Sequence, residues 1–150
     1  MQRAERSIRV AAPVEQVYRF WRNFENFPQF MEHVEEVRLL DPQGQTSHWK
    51  LKGAMGMTPE FDARLSQDEP NRAIGWNSTA GSMRTSGAVT FADLQDYTEV
   101  HVVMQWYDVP AGPVGEAVSN WLQNPEQMLQ EDLQRFKTLV ESQVGTAAHR

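Results

Sequence analysis

The residues of this 150-residue chain with the chemistry to move protons or polarise a carbonyl are few. They are four histidines (His33, His48, His101, His149), Arg84, the hydroxyls of Ser78 and Thr85, and the Tyr107-Asp108 pair. General acid–base catalysis needs such a group facing the substrate, with its pKa tuned by burial. By alternation His48, His101 and Arg84 fall on the polar side of their strands. His33 lies among Glu32, Glu35 and Glu36, on an expected exposed approach to the second strand, and His149 is in the tail. A single β-bulge reverses side-chain parity from its position onward, which is the route by which Arg84 or His101 would turn inward. No acid–base constellation stands out, and the catalytic residues are left unassigned.

Other chemistries lack their residues. There is no cysteine, which removes disulfides, thiol catalysis and thiolate metal sites. No His-x-x-x-His and no Glu–His pair on one helix face offers metal-ligand spacing, so no metal and no cofactor is expected. Gly53-Ala54-Met55-Gly56 lacks the spacing and the lysine of a phosphate loop. Ser82, Ser86 and Ser119 have no histidine beside them in sequence.

The elements that would position any site are mostly strands. Ser7–Ala11 alternates and reads as a first strand. Pro13 opens a helix whose buried face is Val14, Val17, Tyr18 and Trp21. Phe24 to Met31 is a short aromatic segment that Pro28 bends into a second helical turn. From Val34 the period is two, and six runs separated by short turns extend to Trp106, which makes the sheet antiparallel. Its inward face by parity comprises Trp49, Leu51, Phe61, Ala63, Leu65, Ile74, Trp76, Ser78, Thr85, Gly87, Val89, Phe91, Val100, Val102, Met104 and Trp106. A last helix runs from Asn124, its cap, to about Val144, with Leu129, Leu133, Phe136 and Val140 as its stripe. Val114, Val118, Trp121 and Leu122 suggest a short helix before it. Residues 1–144 form one domain and Gly145–Arg150 a flexible tail.

Composition narrows the partners. A net charge of −6 disfavours nucleic acid, which needs clustered Lys and Arg. No apolar run is long enough to span a membrane. Arg3, Glu5, Arg6 and Arg9 interrupt any apolar signal core, so a cytoplasmic location is expected. Nothing in the pattern fixes the oligomeric state.

Several of these stretches together resemble a known family. They are Ala12-Pro13-Val14-Glu15 with Val17-Tyr18 and Trp21, then Phe24-Glu25-Asn26-Phe27-Pro28-Gln29-Phe30-Met31. Further on come Asp68-Glu69-Pro70-Asn71 with Ile74-Gly75-Trp76, Ser86-Gly87 with Val89 and Phe91, and Asp132-Leu133 with Arg135-Phe136-Lys137. The chain is similar, over about Ser7 to Glu141, to the small single-domain polyketide cyclase/dehydrase-like proteins of the START-like, helix-grip superfamily. The resemblance implies an α+β fold in the order β-α-α-β-β-β-β-β-β-α. A curved antiparallel sheet of about seven strands would grip the C-terminal helix over a cavity. It also implies an apolar ligand such as a polyketide, lipid or quinone, either carried, sensed or chemically transformed.

On that basis the candidate ligand-binding residues are Trp49, Leu51, Phe61, Trp76, Ser78, Thr85, Val102, Met104 and Trp106 from the sheet, with Leu133 and Phe136 from the helix. Met55, Met57, Pro110 and Gly112 sit in two loops expected to flank the entrance. Binding or transport of a small apolar molecule is the first expectation. A polyketide cyclase or dehydratase, and an interaction module with a filled core, are the alternatives. Pattern does not report volume, so the same side chains wall a cavity or fill it.

Overall fold

In the computed structural model the chain is described over residues 2–53, 58–108 and 123–148. Seven strands form one sheet: β1 Gln2–Val10, β2 Val34–Leu39, β3 Thr46–Leu51, β4 Glu60–Glu69, β5 Ala73–Gly81, β6 Arg84–Asp93 and β7 Thr98–Asp108. The spatial order is β1-β7-β6-β5-β4-β3-β2, and every neighbouring pair is antiparallel. The expected α+β helix-grip architecture is what the chain adopts. The first strand is longer than its alternation suggests. It begins at Gln2, because pairing with β7 extends from Val10↔Thr98 down to Gln2↔Trp106 and holds a stretch whose own pattern is weak.

Between β1 and β2 lie helix α1, Val14–Arg22, and a 3₁₀ helix, Phe24–Gln29, that contains Pro28. Pro13 is the extended residue just before α1, which suits a residue whose φ is fixed. Tyr18 donates to Asp68, and Arg22 Nε donates to the same carboxylate at 3.0 Å, tying α1 to β4. Asn23 starts the 3₁₀ helix by accepting from the Glu25 N–H at 3.2 Å.

The C-terminal helix, α2, runs Pro125–Ala148, four residues beyond the expected end at Val144. Gly145 therefore does not stop it. Its start is as the sequence indicates: Asn124 Oδ1 accepts from the Gln127 N–H at 3.3 Å, and the two side-chain amides bond to each other at 2.9 Å. Leu129, Leu133, Phe136 and Val140 are buried as one stripe.

The space between sheet and α2 divides into two halves. In one, the 3₁₀ helix acts as an aromatic wedge. Trp21 packs on Phe27, Phe30 and Phe136 with ring centroids 5.2, 5.5 and 5.2 Å apart, and Phe27 meets Trp49 at 5.1 Å. The Trp21–Phe27, Trp21–Phe136 and Phe27–Trp49 contacts are edge-to-face, a geometry that adds to the area they bury. This half is solid. The other half is not.

Candidate functional site

The open half is a cavity of about 50 Å³. Its floor is the inner face of the sheet: Trp49 and Leu51 from β3, Phe61 from β4, Trp76 from β5, Thr85 from β6, and Met104 and Trp106 from β7. Its far wall is the first two turns of α2, through Met128, Leu129 and Asp132. Met31, His33 and Val34 close it on the side where the chain enters β2, and Met83 caps it beside β6.

The large rings are held in place. Trp49 and Phe61 are stacked, centroids 5.5 Å apart and planes 14° from parallel. The Trp49 indole N–H donates to Ser47 Oγ at 2.8 Å. Trp76 lies over the backbone of Gly87, so close that a Cβ on residue 87 would stand 2.2 Å from its Cζ2. Four more of the lining side chains are the thioethers of Met31, Met83, Met104 and Met128, which are unbranched and adapt readily.

Two titratable groups border this apolar space. Asp132 sits on the buried stripe of α2 and its side chain is only 6% exposed. Its Oδ1 accepts from the backbone N–H of Glu32 at 3.2 Å and from Arg135 Nη2. Arg135 Nε in turn donates to the Phe30 carbonyl at 3.0 Å, so the pair ties α2 to the 30–32 segment. Burial pushes the Asp132 carboxyl up to about 6, against the opposing pull of the Glu32 N–H and the Arg135 guanidinium. Among the described residues Oδ2 accepts no hydrogen bond. His33 is half-buried, and burial lowers its pKa, outweighing the Glu32 carboxylate.

The other candidates lie elsewhere. Ser78 Oγ accepts from the Thr85 N–H at 3.0 Å, and Thr85 Oγ1 donates to the Gln105 carbonyl at 2.7 Å. Both hydroxyls thus serve the sheet, although Thr85 also borders the cavity. Val102, Leu133 and Phe136 are fully buried in the packed core and do not border it. Met55, Met57, Pro110 and Gly112 lie outside the described residues, as does the short helix expected around Val114–Leu122.

The polar-face assignments are informative by contrast. His48 bridges Asp62 Oδ1 (2.6 Å) and Glu60 Oε1 (2.8 Å) on the outer face, and those carboxylates raise its pKa. His101 lies 2.7 Å from Glu5 Oε2 and 2.5 Å from Ser7 Oγ, again outside. A bulge does occur at Arg84–Thr85, but it does not invert them: Arg84 stays exposed and Thr85 faces inward, as parity places them. The titratable groups at the cavity come instead from outside the strands. Asp132 and His33 supply them, from positions that strand parity does not cover. Asp132 had a signal in the sequence: it stands three residues after Leu129 and four before Phe136, a carboxylate inside an apolar stripe. Among the described residues no cluster of three or more His, Asp or Glu side chains is arranged to hold a metal ion, and no helix is long and apolar enough to cross a membrane.

Comparison with known proteins agrees with this architecture. Among curated proteins, the chain is 33% identical over 142 residues to an uncharacterized 17.2 kDa protein of Streptomyces lincolnensis, covering 94% of this chain and 91% of that one. A solved structure from Deinococcus radiodurans is 29% identical, covers 93% of this chain and 97% of its own, and superposes with a TM-score of 0.73. At lower identity, where the likeness is one of fold, the Zhui aromatase/cyclase of a Streptomyces species superposes with a TM-score of 0.75 at 19% identity, covering 95% of each chain. A START superfamily protein of Mycobacterium smegmatis gives 0.66 at 16% identity, covering 98% of this chain and 99% of that one. Residues 10–126 match the family described as polyketide cyclase / dehydrase and lipid transport, and the chain belongs to that family.

Proposed function

We propose that this protein binds a small apolar molecule in the cavity between the sheet and α2. One observation carries the reading. Three tryptophans and four methionines enclose a space that the neighbouring aromatic cluster could have filled, and a buried carboxylate borders it. Apolar walls with a few convergent polar groups are the usual make-up of a ligand site. The cavity is smaller than such sites, which span roughly 300–1,000 Å³. Binding therefore entails outward movement of the thioether wall.

Native mass spectrometry of freshly purified protein, followed by solvent extraction, tests this. A single co-purifying apolar mass is the expected result. An empty protein that also binds none of a panel of quinones, sterols, fatty acids and aromatic compounds points instead to an interaction module with a filled core.

A second reading, acid–base catalysis on a polyketide-like substrate, has its own supporting observation. Burial raises the Asp132 pKa to about 6 and lowers that of His33, so the two groups move toward each other. Two titratable side chains bordering one apolar cavity supply the groups that general acid–base catalysis needs. Turnover of a poly-β-ketone mimic that disappears in Asp132→Asn supports it, and undiminished turnover in that variant removes it.

A further inference from the structure

We infer that the ligand of this cavity is a single aromatic ring carrying a hydroxyl or amino donor, with that donor hydrogen-bonded to Asp132 Oδ2. The inference rests on the ligand-binding reading above and narrows it to a chemical class.

Size comes first. A dry cavity that admits benzene measures about 150 Å³, and this one is about 50 Å³. The deficit is about 100 Å³, and among the described residues only part of the wall can yield it. Trp76 is pinned against the Gly87 backbone, and Trp49 is fixed by Ser47 and by its stack on Phe61. The methionine arms are the part that swings aside without breaking a hydrogen bond or a ring stack. Four such arms make room for one ring. A fused multi-ring skeleton or a sterol needs the tryptophans to move as well.

Polarity comes second. The Asp132 side chain is more than nine-tenths buried, borders the cavity, and has one oxygen satisfied twice while the other accepts nothing among the described residues. The fully buried side-chain polar atom left unpartnered among the described residues is Trp21 Nε1, so Oδ2 keeps accessible surface through which it can accept from a ligand hydroxyl or amino group. The same carboxylate repels a ligand acid, which disfavours fatty acids. The ring itself finds tryptophan faces and thioether sulfurs, both of which favour aromatic partners.

The test uses three probes on the full chain: 4-fluorophenol, its near-isostere 4-fluorotoluene, and the three-ring 1,8-dihydroxyanthraquinone. ¹⁹F NMR titration gives the affinities of the first two, and tryptophan quenching that of the third. The indole N–H resonances of Trp49, Trp76 and Trp106 report whether each probe occupies the cavity. The expected result is a preference for the phenol over the toluene of about tenfold or more, the size of one hydrogen bond to a charged group. Asp132→Leu abolishes that preference. Asp132→Asn, which keeps the shape and the Oδ1 acceptor, reduces it, so the test survives if the leucine variant fails to fold. Equal affinity for phenol and toluene in the wild-type protein overturns the inference. So does tighter binding of the three-ring probe at the same indoles, although the ligand-binding reading then stands. If no probe moves those indoles in folded protein, this inference falls, and the ligand-binding reading falls with it only if the quinones, sterols and fatty acids of the wider panel also fail to bind.

Discussion

Trp76 stands directly across the β5–β6 ladder from Gly87, and its indole occupies the place where a side chain on residue 87 would be. The floor of the cavity is flat and fixed because residue 87 has no Cβ. Gly87→Ala puts a carbon 2.2 Å from the ring, so the indole must move. The expected cost is about 1–3 kcal/mol, typical of overpacking, with a changed tryptophan emission. Urea denaturation followed by fluorescence measures both, and an unchanged midpoint and spectrum would contradict this packing.

Asp132 makes stability depend on pH in an unusual direction for a carboxyl. Its pKa rises from 3.8 in the unfolded chain to about 6 in the folded one. Between those values the folded state binds more protons than the unfolded, so this group's contribution is full below about pH 4 and is lost as pH rises through 6. The loss is on the order of 2–3 kcal/mol, from about two units at 1.36 kcal/mol each. Asp132→Asn should therefore gain stability relative to wild type between pH 4.5 and 7.5, as read by denaturant midpoints. A difference between the two proteins that is flat with pH would refute it.

The histidines should titrate in a set order. Asp62 and Glu60 hold the His48 proton, so His48 titrates above the ordinary value, while burial makes His33 titrate below it. NMR of the imidazole C–H resonances resolves both. Asp62→Asn should move His48 downward and leave His33 in place.

Phe136 belongs to the solid half of the interior. It contacts Trp21, Phe20 and Phe30 and does not border the cavity. Phe136→Ala should cost about 3–5 kcal/mol and leave affinity for a cavity ligand, measured per folded molecule, unchanged. A loss of affinity in protein shown to be folded would place the ligand against α2 deeper than the geometry does.

The fold was legible because its signals are periodic. Alternation from Val34 to Trp106 and the Leu129–Val140 stripe each require one face to be buried, and the antiparallel order follows from the short turns. The site was legible only where it shares that periodicity, as with Trp49, Phe61, Trp76 and Trp106. Leu133 and Phe136 belong to the same stripe as Leu129, but the aromatic wedge of the 3₁₀ helix takes the space beneath them, and no local pattern says where a wedge stops. His33 lies just before its strand, where parity has no register. Asp132 looks like an ordinary helix carboxylate until tertiary packing closes over it. The bulge at Arg84–Thr85 leaves the parity assignment intact, Arg84 outward and Thr85 inward, because it falls at the first residue of the strand.

The account depends on the cavity being where a ligand goes. The most direct measurement is a ¹⁵N spectrum of the tryptophan indole N–H groups during titration with a quinone, a sterol, a fatty acid and a single-ring phenol in turn. The account predicts that at least one of them saturably shifts Trp49, Trp76 and Trp106 while Trp21, in the solid half, stays still. Shifts confined to surface amides, or none with any compound, would contradict it.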